Sequence, residues 1–274
     1  MDNLITFFAI FFFFGVTTLV IIKLVKSISK KRNREEEPIM ASVTAPPLTT
    51  PPETSPPSQF SICIKYTGDQ KYVKLFQDAA NRWSQIITGD LPDLWYNPGN
   101  NIATMVDDLE INVEIAPMDG EYGALGQAGY DCVRWAWDGG LPWHGSMMFD
   151  SSDVEMMYKD GSLYSVILHE MGHVFGIGTM WDCRGLKNEN GNYIGPNALR
   201  EYRNLKNDQN LTEIPVEQGD KVGTSGVHWD ENIFKGELMT GYVNPPMALS
   251  KMTIASLEDL GYVVDYSKAD NYKL

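Results

Sequence analysis

The chain has 274 residues and only three cysteines, and its 36 acidic side chains outnumber 22 basic ones, giving a formal net charge of −14. So few cysteines exclude a dense disulfide framework, because at most one bridge can form within the chain. The acidic balance excludes nucleic acid as an expected partner, since phosphate binding needs a concentrated basic surface.

The N-terminal segment is strongly apolar. Residues 4–22 carry no charged side chain and match the length of a helix that crosses the hydrocarbon core of a membrane. We predict a transmembrane anchor within residues 1–25, because the start lacks the basic region and the cleavage site of a signal peptide. Basic residues follow up to position 34, so the positive-inside rule places the rest of the chain on the cytoplasmic or interior side. The extracytoplasmic orientation stays open, because residues 210–212 match a glycosylation sequon.

A composition change separates this segment from the rest of the chain. Residues 35–59 are rich in Pro, Ser and Thr, cannot build a core, and are expected to form an extended linker. The remaining stretch, residues 60–274, is long enough for one sizeable hydrophobic core, and we predict a single catalytic domain there.

Within this domain, apolar periodicity predicts strands first and irregular structure later. The predicted strands are 60–66, 109–118 and 145–150, and the predicted helices are 69–88, one that begins near Ser162 and ends at Gly176, and a final one at about 247–260. Residues 180–248 are rich in Asn, Gly and Pro, so we expect irregular structure there. This order predicts an α+β fold of two lobes with a cleft between them.

The helix that ends at Gly176 contains the pattern HExxH, at His169, Glu170 and His173. Residues four apart lie on one face of an α-helix, so both imidazoles can reach a single metal ion. Imidazoles suit zinc, which in a catalytic site takes three protein ligands and leaves the fourth position to water. Zinc lowers the pKa of that water to about 7, so that Glu170 can take its proton. The pattern therefore predicts metal-assisted hydrolysis of amide bonds.

The third ligand must come from elsewhere in the chain, and His144 and His228 are the two remaining histidines. We favour His228, because Met239 follows it in the turn-forming sequence GELMTGYVNPPM. A glutamate is the other type of third ligand. Glu201 is the best candidate of that type, but Leu205 stands where a carboxylate would orient such a site.

Three runs of sequence carry a family resemblance: HEMGHVFGIGTMW, GTSGVHW and ELMTGYVNPPMALSKMTIASLEDLGYVVD. They resemble the leishmanolysin family of metzincin zinc endopeptidases, and the resemblance covers about residues 60–274. In this family the third zinc histidine is displaced far downstream by an insertion, and a turn containing a methionine lies beneath the metal.

The resemblance implies a set of site residues. His169, His173 and His228 would bind one catalytic zinc ion (Zn²⁺), Glu170 would be the general base, and Met239 would be the Met-turn residue. It also implies a metzincin-like domain whose N-terminal lobe holds a mixed sheet and the active-site helix, followed by an irregular C-terminal lobe ending in a helix. The chain departs from the compact metzincin pattern at Thr179, where that pattern has its third histidine.

These features together predict a membrane-anchored zinc endopeptidase that cleaves protein or peptide substrates. The alternative is a catalytically silent zinc-binding domain that binds a protein partner through its cleft. The intact Glu170 favours the enzyme, since a structural zinc ion needs no base. Tyr242, close to Met239 in the sequence, is either a packing residue or an assisting ligand or oxyanion donor.

Overall fold

The structure, a computed structural model, describes residues 59–97, 103–219 and 223–274. The predicted transmembrane segment, its basic flank and all but the last residue of the Pro-rich linker lie outside these ranges. Among the helices of the described ranges, none is long and apolar enough to cross a membrane. The predicted domain boundaries and the division into two lobes stay predictions.

The described residues form six strands and six α-helices. The strands are β1 (Ile62–Thr67), β2 (Leu94–Tyr96), β3 (Thr104–Val106), β4 (Leu109–Ala116), β5 (Gly126–Val133) and β6 (Pro142–Asp150). The helices are α1 (Val73–Ile86), α2 (Val154–Asp160), α3 (Leu163–Val174), α4 (Pro196–Lys206), α5 (Glu231–Phe234) and α6 (Lys251–Leu260). This mixture confirms the predicted α+β class.

The predicted irregular structure of residues 180–248 is wrong over α4 and over the short helix α5. Helix α4 begins with Pro196 after Gly195, a favourable helix start, and buries Ala198, Leu199 and Tyr202 at helical spacing. Most residues of this helix are polar because they form its exposed face, so the three buried apolar positions were too few to predict a helix. The strand β5 was also not predicted, because its sequence GQAGYDCV contains two glycines and little apolar alternation.

The four-stranded sheet has the order β1-β4-β6-β5, and β2 and β3 form a separate antiparallel pair. β1 pairs with β4, and β4 with β6, in parallel, whereas β5 runs antiparallel to β6. In the chain, α1 lies between β1 and β4, as the crossover between parallel strands requires. β5 therefore forms one edge of the sheet.

Helices cover one face of this sheet. Ile111 and Val113 of β4 and Met147 and Phe149 of β6 are buried on that face. The buried side chains of α1 recur at helical spacing: Phe76, Ala79, Ala80, Trp83 and Ile86. Every residue of α3 from Val166 to Val174 is buried, as expected for a helix enclosed by the core.

The opposite face of the sheet is polar. Its side chains include Asn112, Gln127, Asp131 and Ser146, which line an open concavity of about 980 Å³. Parallel sheets are usually covered on both faces and have continuous apolar strands. Here β1 alternates between half-buried and exposed residues, so its pattern fits a sheet covered on one face only.

Candidate metal centre

α3 carries His169 and His173 on one face, one turn apart, with ring centroids 4.8 Å from each other. Two glycines after the helix turn the chain, Gly176 at φ 105° and Gly178 at φ 76°, in the left-handed region that favours glycine. Gly178 also permits a close approach, because a Cβ there would lie 2.0 Å from the carbonyl oxygen of Val227. Since Val227 precedes His228, this contact brings the third histidine to the end of α3.

The segment around His228 is held by backbone hydrogen bonds and by buried aromatic rings. The carbonyl of His228 accepts a hydrogen bond from the Glu217 amide at 2.9 Å, and the Trp229 amide donates to the Met239 carbonyl at 3.0 Å. The Trp229 ring packs against Trp181, with centroids 4.5 Å apart. Although the segment around His228 is neither helix nor strand, these contacts hold the His228 side chain in a defined position.

The three imidazoles converge through their Nε2 atoms. These atoms lie 3.1 Å apart between His169 and His228, 3.1 Å between His173 and His169, and 3.0 Å between His173 and His228. All three side chains are buried. Burial lowers the pKa of each of these histidines to about 3, so all three are neutral near pH 7.

The opposite ring nitrogens determine which tautomer is present. Each Nδ1 lies within hydrogen-bond distance of a backbone carbonyl: His169 with Leu238 at 2.7 Å, His173 with Ile177 at 2.9 Å, and His228 with Thr224 at 2.8 Å. A carbonyl can only accept, so each Nδ1 carries the proton and each Nε2 presents a lone pair.

This arrangement fits a metal ion. Three lone pairs that face one another at 3.0–3.1 Å repel unless a cation lies between them. Nitrogens with this spacing can all lie about 2.0–2.1 Å from one point, which is the usual distance between zinc and a histidine nitrogen. The Nδ1 bonds to carbonyls are the outer contacts that typically orient metal-binding histidines. The trio can therefore hold one metal ion.

Glu170 follows His169 on α3 and is 6% exposed. Burial raises the pKa of its carboxyl group to about 8. The first residue of β5 lies beside it, because a Cβ at Gly126 would be 3.1 Å from Glu170 Oε1. A cation bound nearby would favour the ionised carboxylate, so a metal at the trio would counter the effect of burial on Glu170.

Met239 and Thr179 both contact α3, the first by apolar packing and the second by a hydrogen bond. Met239 is fully buried, and a Cβ at Gly172 would lie 2.9 Å from its sulfur, so the thioether packs against the helix next to His173. The Thr179 hydroxyl donates to the His173 carbonyl at 2.8 Å. Thr179 therefore stabilises the end of α3 at the position where the compact pattern has its third histidine.

The other candidate ligands lie apart from the trio. His144 is on the polar face of the sheet, where its Nδ1 lies 2.9 Å from an Asp131 carboxylate oxygen and its Nε2 3.0 Å from the Asn112 amide nitrogen. Glu201 belongs to α4 and pairs with Arg200 at 2.9 Å. In the described part of the chain, neither His144 nor Glu201 is close enough to His169 and His173 to bind the same ion. Tyr242 is 37% exposed, and its role stays open.

Several groups at this site had no signal in the sequence. The carbonyls of Leu238, Ile177 and Thr224 orient the imidazoles, but every residue has a carbonyl. The buried carboxylate of Glu237, two residues before Met239, was also missed, because an isolated acidic residue usually lies at the surface.

The sequence matches the model of a known protein family. The family model described as leishmanolysin matches residues 98–273, well over half of the chain. No curated protein matches this sequence.

Proposed function

Because the chain belongs to the leishmanolysin family of zinc-dependent metallopeptidases, we propose that it is a membrane-anchored zinc endopeptidase in which His169, His173 and His228 hold one zinc ion. As a metallopeptidase, it acts on protein or peptide substrates. One observation carries the ligand assignment: each of three neutral imidazoles donates its Nδ1–H to a backbone carbonyl, so the three Nε2 lone pairs face one point.

The proposed chemistry is hydrolysis without a covalent intermediate. When bound, zinc supplies a Lewis acid that activates water and polarises the scissile carbonyl. Glu170 takes a proton from the attacking water and returns it to the leaving amine nitrogen. The position of Glu170 supports this role, because it directly follows the ligand His169 on α3 and its side chain is buried.

The remaining residues orient this machinery. The carbonyls of Leu238, Ile177 and Thr224 keep each imidazole in the tautomer that directs Nε2 inwards. Met239 provides an apolar contact against α3 and binds nothing itself. Gly126 lets the start of β5 pack closely against Glu170, because a Cβ there would lie only 3.1 Å from Oε1 and would press on the carboxyl group.

The test compares the full-length protein in detergent with Glu170→Ala, measuring zinc content and cleavage of a mixed peptide library. We expect about one zinc ion in both proteins and a fall in kcat of roughly 10²–10⁴-fold in the variant, because a general base is lost while the ligands remain. Zinc in both proteins with cleavage in neither would favour the catalytically silent, partner-binding alternative.

Two further variants test the ligand set. His228→Ala should lose zinc, and Glu201→Ala should retain it, because Glu201 is paired with Arg200 on α4. Zinc retained in His228→Ala and lost in Glu201→Ala would replace the histidine assignment with the glutamate one.

We also propose that residues 4–22 anchor the protein and that the peptidase domain faces the cytoplasmic or interior side. The basic residues after the anchor support this orientation. The described cysteines, Cys63, Cys132 and Cys183, are all free and exposed, which suits a reducing compartment.

The sequon at Asn210 is a natural reporter of this orientation. Asn210 is exposed, so it would be accessible for glycosylation if the domain crossed the membrane. In a eukaryotic cell we expect no shift in mobility after endoglycosidase treatment of the full chain. A control with a cleavable signal peptide in place of residues 1–34 should be glycosylated, and the same shift in the full chain would reverse the proposed orientation.

A further inference from the structure

Glu237 is a buried carboxylate close to the metal centre that the proposed hydrolysis does not use. Its side chain is fully buried. Its oxygens accept hydrogen bonds from the Met239 amide at 2.5 Å, the Ser250 amide at 3.2 Å, the Ser250 hydroxyl at 2.7 Å and the Thr253 hydroxyl at 2.5 Å. None of the ion pairs in the described part of the chain includes Glu237.

The first route from Glu237 leads to His169. By binding the Met239 amide, the carboxylate fixes the peptide of the turn 237–239. The carbonyl of this same peptide unit belongs to Leu238, and it accepts the hydrogen bond from His169 Nδ1 at 2.7 Å. Reorientation of this turn would therefore move the group that selects the His169 tautomer.

The second route leads to His228. The Trp229 indole donates to the Thr253 hydroxyl at 2.8 Å, and Thr253 donates onward to Glu237. Trp229 directly follows His228, and its amide also donates to the Met239 carbonyl at 3.0 Å. Glu237 is therefore linked by hydrogen bonds to the surroundings of both histidines, directly to the Met239 amide and through Thr253 to Trp229.

Burying the negative charge of an ionised Glu237 is energetically unfavourable. Burial raises the pKa of Glu237, and its hydrogen bonds oppose this effect. All its partners act as donors, which suits an ionised carboxylate, since that group only accepts. A buried anion without a paired cation is stabilised by positive charge close by. Zinc bound by three neutral imidazoles would carry two positive charges and would supply such a charge.

We propose that Glu237 is a positioning residue of the zinc centre: its carboxylate orders the turn 237–239 and Trp229, and thereby orients His169 and His228, while its charge offsets that of the metal. This inference rests on the proposed zinc ligands. Outer contacts of this kind typically contribute 10–100-fold to metal affinity.

The test uses the full-length protein in detergent, as wild type and as Glu237→Gln, which keeps the shape and removes the charge. Zinc affinity is measured by competition with a chelator, and the cobalt-substituted proteins are compared by their visible absorption spectra. We expect zinc affinity to fall about 10–100-fold in Glu237→Gln and the cobalt spectrum to change, because the histidine geometry relaxes.

The matched control is Asp108→Asn, the same chemical change at another fully buried carboxylate. Asp108 accepts hydrogen bonds from the Ser61 and Leu91 amides, away from the histidines. This variant should lose stability in urea but keep its zinc affinity. If Glu237→Gln also loses only stability, with zinc affinity and cobalt spectrum unchanged, Glu237 is merely structural and the proposal is wrong.

A milder variant covers the case in which Glu237→Gln does not fold. Thr253→Val breaks the link to Trp229 and leaves the carboxylate in place. We expect Thr253→Val to lower the zinc affinity by a smaller factor than the 10–100-fold expected for Glu237→Gln, and to change the cobalt spectrum. If both the zinc affinity and the cobalt spectrum stayed unchanged, the proposal would be overturned. Failure of the underlying function looks different, because the wild type would then bind no zinc, or His228→Ala would still bind it.

Discussion

Gly178 lies where the chain after α3 approaches the segment that carries His228. Its φ of 76° is unfavourable for residues with a Cβ, and a Cβ would overlap the Val227 carbonyl at 2.0 Å. Because the obstacle is backbone, no rotation of a side chain can relieve it. The approach of His228 to α3 therefore requires a residue without a side chain at position 178.

Gly178→Ala should destabilise the protein and weaken zinc binding. We expect a loss of roughly 3 kcal/mol in the free energy of unfolding, about 1–2 from the left-handed backbone and the rest from the overlap. Gly185→Ala is the control, since Gly185 has a φ of 65° but nothing within 4 Å of the added Cβ. Urea unfolding and chelator competition separate the two variants, and equal losses would contradict a special role for Gly178.

Among the elements, α1 and α3 form the pair on which the first two histidines depend. The Trp83 indole of α1 donates a buried hydrogen bond to the Leu168 carbonyl at 3.0 Å, one residue before His169. The same indole packs against Phe175, with ring centroids 5.2 Å apart. α1 therefore contacts α3 immediately before the HExxH sequence and again at its end.

Trp83→Phe should lower the free energy of unfolding of the zinc-free protein by about 1–3 kcal/mol, because a buried hydrogen bond and part of a large side chain are lost. Trp95→Phe is the matched control on β2, where the ring is 66% exposed, and should change stability by less than about 0.5 kcal/mol. Similar losses in the two variants, measured by urea unfolding, would show that the contact between α1 and α3 contributes little.

At the scale of the whole domain, the proposed zinc ion joins parts of the chain that are distant in sequence. His173 and His228 are 55 residues apart, and α4 lies between them in the chain. α4 packs against α6, so the later part of the chain has contacts of its own besides those at the metal centre. Zinc would therefore stabilise the native state by cross-linking α3 to the segment that follows α4.

Removal of zinc by a chelator should lower Tm. A ligand present at 1,000 times its Kd contributes about 4 kcal/mol, which corresponds to a fall of roughly 8–16 °C for a domain of this size. His228→Ala should melt at the lower temperature and should not respond to the chelator. A wild-type Tm that the chelator leaves unchanged would argue against a metal held by these three residues.

The sequence by itself determined the features that depend on local geometry. The spacing of four residues places His169 and His173 on one helical face, and Ser162 and Gly176 predicted the limits of α3 to within two residues. The α+β class followed from apolar periodicity. His228 followed from the resemblance to a family and from the scarcity of histidines, since its separation from α3 specifies no geometry.

Only the tertiary structure decided which groups surround these residues. α4 was hidden by its polar composition, and β5 by its glycines, because a short element is stabilised mainly by the surface on which it packs. The carbonyls that orient the imidazoles, the close approach at Gly178 and the buried Glu237 all join segments far apart in the chain. Such contacts depend on the path of the backbone in space, which no local pattern of side chains encodes.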